Sequence, residues 1–275
     1  MSFLDWILLD KINWIYISEN INAISILENN LNKISWYWLS YNINAIHIIE
    51  QNLVNVDWYS LSLNPNAIHL LENNLDKINW HLLSLNPNAI HILEKNLEKV
   101  YWPYIATNSN AISLLENNLD KIEWSLLSRN PNAIHILEQN LDKINWLYLS
   151  RNSNAISILE KNLDKVNYSS LSANKNPNAI LILENNLEKI DWYWLSGNNN
   201  AIHLLENNID KIYWSELSKN TNAIHILENN LNKINWKNLS SNSNAIHLLK
   251  NNIGQIDWSE LSKNLSIFKE WNGMK

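Results

Sequence analysis

The chain has 275 residues, is 46% hydrophobic and 17% charged, carries a formal net charge of −6, and contains no cysteine, three glycines and five prolines. This composition excludes a disulfide framework and a thiolate metal site, leaves no glycine-rich loop to cradle a phosphate, and argues against a dedicated nucleic-acid binder. No apolar run approaches the ~18–20 residues that a membrane span needs.

Residues 1–19 place Phe3, Leu4, Trp6, Ile7 and Leu8 around Asp5 and Asp10, with no basic leader. They read as an N-terminal capping piece and not as a signal peptide, so an intracellular chain is expected and not a secreted one. After them one phrase of 22 residues recurs. Its Ala falls at Ala23, Ala45, Ala67, Ala89, Ala111, Ala133, Ala155, Ala179, Ala201, Ala223 and Ala245, every step being 22 residues except the one from Ala155 to Ala179, which is two longer. The extra pair enters near Lys175, in the stretch 174–176. A fixed period in this range predicts a stacked array in which each unit buries its apolar face against its neighbours. The expected organisation is a single elongated domain over 1–275, with the array at 20–263 and a C-terminal capping piece at 264–275. At ~8–10 Å per packed layer it makes a rod or superhelix on the order of 100 Å long.

Within the unit 64–85, NPNAIHLLENNLDKINWHLLSL, the apolar residues Ala67, Ile68, Leu70, Leu71 and Leu75 have helical spacing. Asn64 is a suitable N-cap with Pro65 at the first helical position. Asn74 is expected to end this helix in left-handed geometry, with Leu75 folding back onto it. A second short helix starts near Asn79, whose column holds Ser35, Asp57, Asn145 and Asp191 elsewhere, and carries Trp80 and Leu83 on one face. The fold class is therefore all-α: an α-solenoid of about 11–12 two-helix repeats of 22 residues. The Trp column (Trp14, Trp36, Trp58, Trp80, Trp102, Trp124, Trp146, Trp192, Trp214, Trp236 and Trp258, broken by Tyr168) is expected to stack and bury large areas. The Asn columns represented by Asn64, Asn66 and Asn74 read as caps and as a ladder to the neighbouring backbone. The string WHLLSLNPNAI superficially matches leucine-rich repeats. In that fold the Leu85 column must be core, yet it holds Tyr41, Thr107, Arg129, Arg151, Gly197, Lys219 and Lys263. A core column does not tolerate that set.

The unit N-P-N-A-I-H-L-L-E-x-N-L-D-K-I-x-W-x-x-L-S resembles the asparagine-rich 22-residue repeats of proteins from large DNA viruses that infect algae and amoebae. The likeness covers residues 9–265, with nearly intact copies at 64–85 and 130–151. Departures are Ile21 and Ile43 where Pro is usual, Pro103 inside a second helix, and the insertion near Lys175. The resemblance brings no catalytic residues. It implies a viral protein that acts in a eukaryotic host cell or is packed in a particle.

His47, His69, His91, His135, His203, His225 and His247 share a column, all but His247 three residues before a Glu, as in His69 and Glu72. Such a ladder suggests zinc. However, ligands must converge within ~2.0–2.2 Å of one ion, and Ser25, Ser113, Ser157 and Leu181 stand in the same column, so no metal and no cofactor is expected. Lysines recur at Lys33, Lys77, Lys99, Lys121, Lys143, Lys165, Lys189, Lys211 and Lys233, mostly just after an acid such as Asp76 or Asp120. They read as a mixed-charge solvated edge, so no specific nucleic-acid binding is expected. Nearly every polar residue is one copy in a column, whereas a catalytic site needs a singular cluster; the chain is not expected to be an enzyme.

What varies between units is the outward part of the second helix: Tyr37-Trp38, Tyr59-Ser60, His81-Leu82, Pro103-Tyr104, Ser125-Leu126, Leu147-Tyr148, Tyr193-Trp194, Ser215-Glu216 and Lys237-Asn238. Freed aromatics and arginines make interface hot spots. The expected binding surface therefore comprises Tyr37, Trp38, Tyr59, His81, Tyr104, Arg129, Tyr148, Arg151, Tyr193 and Trp194, and it is expected to take a host or viral protein. The alternative is a structural component of a virus particle, or a rod that self-associates through its apolar N-terminal end.

Overall fold

The computed structural model describes residues 2–269; the final part of the expected C-terminal piece, 270–275, lies outside the described residues. Among the described residues there are 23 α-helices, joined by short 3-10 turns, and no strand beyond one isolated bridge between Phe3 and Phe268. The chain forms two compact units, Met1–Ile78 with Ala223–Lys275, and Asn79–Asn222. Both are built from the same 22-residue layers of paired short helices, the α-solenoid repeat that the period predicts.

One layer shows how the residues make the elements. The second helix follows the expected rule: Asn79 accepts a hydrogen bond from Leu82 N–H and starts the helix Trp80–Leu85. The first helix is shorter than expected. Asn64 does cap, accepting from Asn66 N–H, but Pro65–Ala67 is a separate 3-10 turn and the α-helix is Ile68–Glu72. The physical reason is lateral: backbone carbonyls of this corner, such as those of Asn42 and Ile43, are taken by asparagine side chains of the next layer. Nor does the helix end in left-handed geometry. Among the described residues none has positive φ, and Asn30 sits at φ −140°. Instead the Asn74 side chain donates to the carbonyl of Leu70 at 2.9 Å, which satisfies the helix end without a left-handed residue. Leu75 does not fold back; it is exposed, as are Leu31, Leu53 and Leu97. The core is carried by fully buried columns, among them Ala67, Leu71 and Leu83 and their counterparts. Truncating such leucines typically costs ~2–5 kcal/mol.

Two buried polar columns hold layer to layer. Asn42 donates from Nδ2 to the carbonyls of Ser18 and Asn20, at 3.0 and 3.2 Å, and accepts from Asn44 N–H. Asn44 in turn donates to the Ile21 carbonyl at 3.0 Å. The same contacts recur at Asn130 and Asn132 in the other unit, so the expected ladder is present. The serine column was not foreseen. Ser18 donates to the Trp14 carbonyl four residues back and accepts the backbone N–H of Ser35, the N-cap of the next second helix, at 2.9 Å. Each serine thereby ties one helix to the start of the next, and Ala106 takes its place in one layer.

The Trp column is half-buried, not enclosed, because its outer face is covered by lysine. Lys33 lies over Trp14 at 4.6 Å, Lys143 over Trp124 at 4.4 Å, and Lys189 over Tyr168 at 4.5 Å, each lysine coming from the following layer. The lysines expected to form a mixed-charge solvated edge thus make a specific contact, each with an aromatic ring. Among the described residues, none of Lys33, Lys77, Lys99, Lys121, Lys143, Lys165, Lys189 and Lys211 forms an ion pair, and all of them lie over the ring of the preceding layer. A cation over an exposed ring contributes ~0.5–1 kcal/mol. Lys143→Met is accordingly expected to lower unfolding stability by about that amount, measured by urea denaturation, whereas Asp142→Asn should change little.

In the unit that holds both chain ends, the first layer takes the last as its neighbour. Asn20 donates to the carbonyls of Ser262 and Asn264, both at 3.3 Å. Asn13 N–H donates to Ser262 Oγ at 2.9 Å, and Asn22 to the Leu265 carbonyl at 3.0 Å. These are the interior ladder contacts displaced by 266 residues, which is twelve periods of 22 plus the inserted two. Lys11 lies over Trp258, and Lys263 over Tyr16 at 4.3 Å. The Lys263 ammonium is held above its ordinary pKa chiefly by its hydrogen bond to Glu260. Phe3 stacks on Phe268 at 5.1 Å between ring centres, and Leu4 N–H donates to the Ile267 carbonyl. One expectation is corrected here. The first layer is not the free end of an open rod, and of the apolar residues expected to meet another subunit, Phe3 and Leu4 contact the C-terminal segment while Leu8 stays exposed.

The insertion is absorbed just beyond Lys175. Asn174, Lys175 and Asn176 make ordinary ladder contacts. The extra pair is Pro177–Asn178: Asn176 caps Asn178 N–H, and the first helix, Pro177–Glu184, gains a turn and is the longest among the described residues.

Candidate functional site

The histidine column comes first, because it is the most chemically suggestive. His47 Nε2 lies 2.6 Å from Glu28, His69 2.6 Å from Glu50, and His135 2.7 Å from Glu116. The partner is the Glu of the preceding layer, 19 residues back, and not the Glu three residues ahead on the same helix. Each contact is one imidazole with one carboxylate, both about half exposed, and such pairs contribute ~0–1 kcal/mol. Among the described residues no group of three or more His, Asp or Glu converges to hold a metal ion.

The candidate surface residues fall into the two units. In the first, Tyr37, Trp38 and Tyr41 form an aromatic cluster, with Tyr37 edge-on to Trp38 at 5.3 Å and to Tyr41 at 5.5 Å. Burial, reinforced by the Tyr37 hydroxyl, holds the Tyr41 phenol above its ordinary pKa. Tyr59 stands exposed, but the neighbouring Ser60, expected to face outward, is fully buried.

In the second unit, His81 packs edge-on to Tyr101 at 4.3 Å, and Tyr101 to Tyr104 at 4.8 Å. Farther along, the second helices Trp146–Arg151, Tyr168–Ser172 and Trp192–Ser196 succeed one another as neighbouring layers. The middle one carries small residues, Ser169, Ser170 and Ala173, where its neighbours carry Leu147, Tyr148, Arg151, Tyr193 and Trp194. The result is a notch with aromatic walls. Arg151 reaches across it, its guanidinium 4.9 Å from the centre of the Trp194 ring, and Arg129 lies over Tyr148 at 5.4 Å. Two open cavities meet at Arg151. One, of about 380 Å³, is lined by Arg129, Tyr148 and Ser170; the other, of about 430 Å³, by Lys175, Trp194, Gly197 and Asn199. Both lie in the range of roughly 300–1,000 Å³ typical of ligand sites. Tyr193 stacks edge-on with Trp194 and Tyr213 and donates its hydroxyl to Glu216 at 3.1 Å.

Of the expected surface residues, Arg129, Tyr148, Arg151 and Trp194 are thus brought together around one notch, with Tyr193 beside it. His81 and Tyr104 share a separate aromatic group. Tyr101, Tyr213 and Tyr41 were missed. The signal was present: Tyr101 and Tyr213 interrupt a column of Asn, Asp and Ser caps, and Tyr41 stands in the column that rules out leucine-rich repeats. Departures from the repeat also gather here, where Tyr168 replaces Trp, Leu181 replaces His, and the insertion follows Lys175. No protein-family model matches the chain, and neither curated proteins nor solved structures show a significant match to it.

Proposed function

We propose that the chain is a non-enzymatic scaffold that binds a protein or peptide partner through the outward positions of its second helices. The observation that carries this reading is the contrast between fixed and free columns. Positions that face a neighbouring layer repeat with little change, while the variable ones keep exposed aromatics, with Tyr37 43%, Tyr59 51% and Trp194 39% accessible. Solvent exposure of large rings has no stabilising role within the layer, and such rings dominate interface energies when a partner covers them. The resemblance to viral repeat proteins makes the proposed partner a host or viral protein, met in the host cytoplasm or in a particle.

The test is a variant with Tyr37, Trp38, Tyr104 and Tyr148 replaced by Ala. Helical circular dichroism should persist, since these rings lie off the buried Ala, Leu and Asn columns. Partner recovery from infected-cell lysate should fall at least tenfold, about 1.4 kcal/mol. Retention of every partner by the folded variant would set the reading aside in favour of a structural component, for which the protein should be abundant in the proteome of purified particles.

A further inference from the structure

We propose that the notch between the helices Trp146–Arg151 and Trp192–Ser196 binds an acidic segment of a partner protein, its carboxylates held by Arg129, Arg151 and Lys175. This rests on the scaffold reading above and names the chemistry of the occupant. The first argument is charge complementarity. In a chain of net charge −6, three cations border two cavities that share one of them, and among the described residues none of the three forms an ion pair with a carboxylate. The nearby acids are already engaged. Glu216 takes the Lys219 ammonium at 2.8 Å and the Tyr193 hydroxyl, and Asp191 caps the helix by accepting from Tyr193 and Trp194 N–H. Glu216, which lines the second cavity, is thus paired with Lys219, and among the described residues the three bordering cations have no carboxylate partner.

The second argument is the geometry of the arginines. A guanidinium lying over an aromatic ring uses its flat face, while its N–H donors radiate in its plane. Arg151 over Trp194 and Arg129 over Tyr148 are held in that way. Their donors remain available for a planar, bidentate carboxylate, and the side-chain entropy of fixing each arginine is already spent in the free protein. The same stacking disfavours a nucleic-acid strand, because it covers a face of each ring that a base would need for stacking.

The third argument is size. Arg129, Arg151 and Lys175 come from three consecutive layers, so their attachment points span about two steps of ~8–10 Å. An extended chain advancing ~3.3 Å per residue covers that span with about five or six residues. The small residues Ser170 and Ala173 leave room for its backbone between the aromatic walls.

The experiment is a random 12-residue peptide display library selected against the full chain, with the enriched peptides then measured against variants. The expected result is enrichment of Asp and Glu over five to six consecutive positions. Affinity should weaken with added salt and fall at least tenfold in Arg129→Gln/Arg151→Gln, both exposed positions whose replacement removes two contacts over exposed rings, each of ~0.5–1 kcal/mol, and leaves the chain folded. Arg151→Lys should restore only part of the loss, because an ammonium lacks the planar fork. Enriched peptides without acidic residues, whose binding is lost in Trp194→Ala but not in the arginine variant, would overturn the acidic occupant and leave the scaffold reading standing. Tighter binding of (dT)12 or rU12 than of any peptide, abolished by Arg151→Gln, would overturn it in favour of nucleic acid. No peptide whose binding responds to any second-helix substitution would overturn both.

Discussion

Asn130→Leu is expected to lower unfolding stability by about 2–4 kcal/mol, because it strips a buried ladder position of three hydrogen bonds at nearly constant volume. Asn130 is fully buried. It donates to the carbonyls of Ala106 and Asn108, at 3.0 and 3.1 Å, and accepts from Asn132 N–H at 3.0 Å. These three groups do not suffer equally. The Asn108 carbonyl keeps the N–H of Ala111, and Asn132 is exposed and can turn to water. The Ala106 carbonyl loses its partner outright, and a buried acceptor left unmade costs ~1–3 kcal/mol. Urea denaturation checks the figure. A loss below ~0.5 kcal/mol, the ordinary level of a surface substitution, would mean that the ladder is geometry without energetic weight.

Asn20→Leu is expected to cost a similar amount, and this is the less obvious result. Asn20 stands at the start of the repeat array, where an array with open ends would leave its Nδ2 in solvent and its replacement almost neutral. Here it is buried, donating to Ser262 and Asn264 as an interior asparagine donates to the layer before it. The substitution should therefore behave like Asn130→Leu in urea, and it should also speed hydrogen exchange at Leu4 N–H and Asn13 N–H. Equality of the two losses is the signature of a register-matched seam. A loss confined to the ~1 kcal/mol of the Asn22 N–H contact alone would show terminal fraying.

Much of this architecture was legible because the chain states it many times over. The period, the helix pair, the Asn79-type cap and the asparagine ladder are each written in columns, and a column averages away the accidents of one unit. What stayed hidden is the partner of each column. His69 has Glu72 three residues ahead and Lys77 has Asp76 beside it, so reading along the chain pairs them. The fold pairs His69 with Glu50 and Lys77 with Trp58, both 19 residues back, because stacking 22-residue layers with a small offset makes that separation the short one. The left-handed turn at Asn74 failed for a related reason: a side-chain amide returning to the carbonyl four residues earlier does the work that a left-handed residue would do. Around the notch, Arg129, Tyr148, Arg151 and Trp194 were recognisable by type. Their convergence was not, because it depends on the small side chains of Ser170 and Ala173, which carry no signal of their own.

Whether the last layer serves as the neighbour of the first is read most directly from the distance between Asp5 and Lys269, whose side chains form an ion pair across the seam. The chain has no native cysteine, so a D5C/K269C variant can be labelled at these two positions alone and followed by resonance energy transfer in the folded protein. Near-complete transfer, lost cooperatively as urea unfolds the chain, is the predicted result. A separation on the order of 100 Å, as twelve layers stacked at ~8–10 Å with free ends would give, would contradict it.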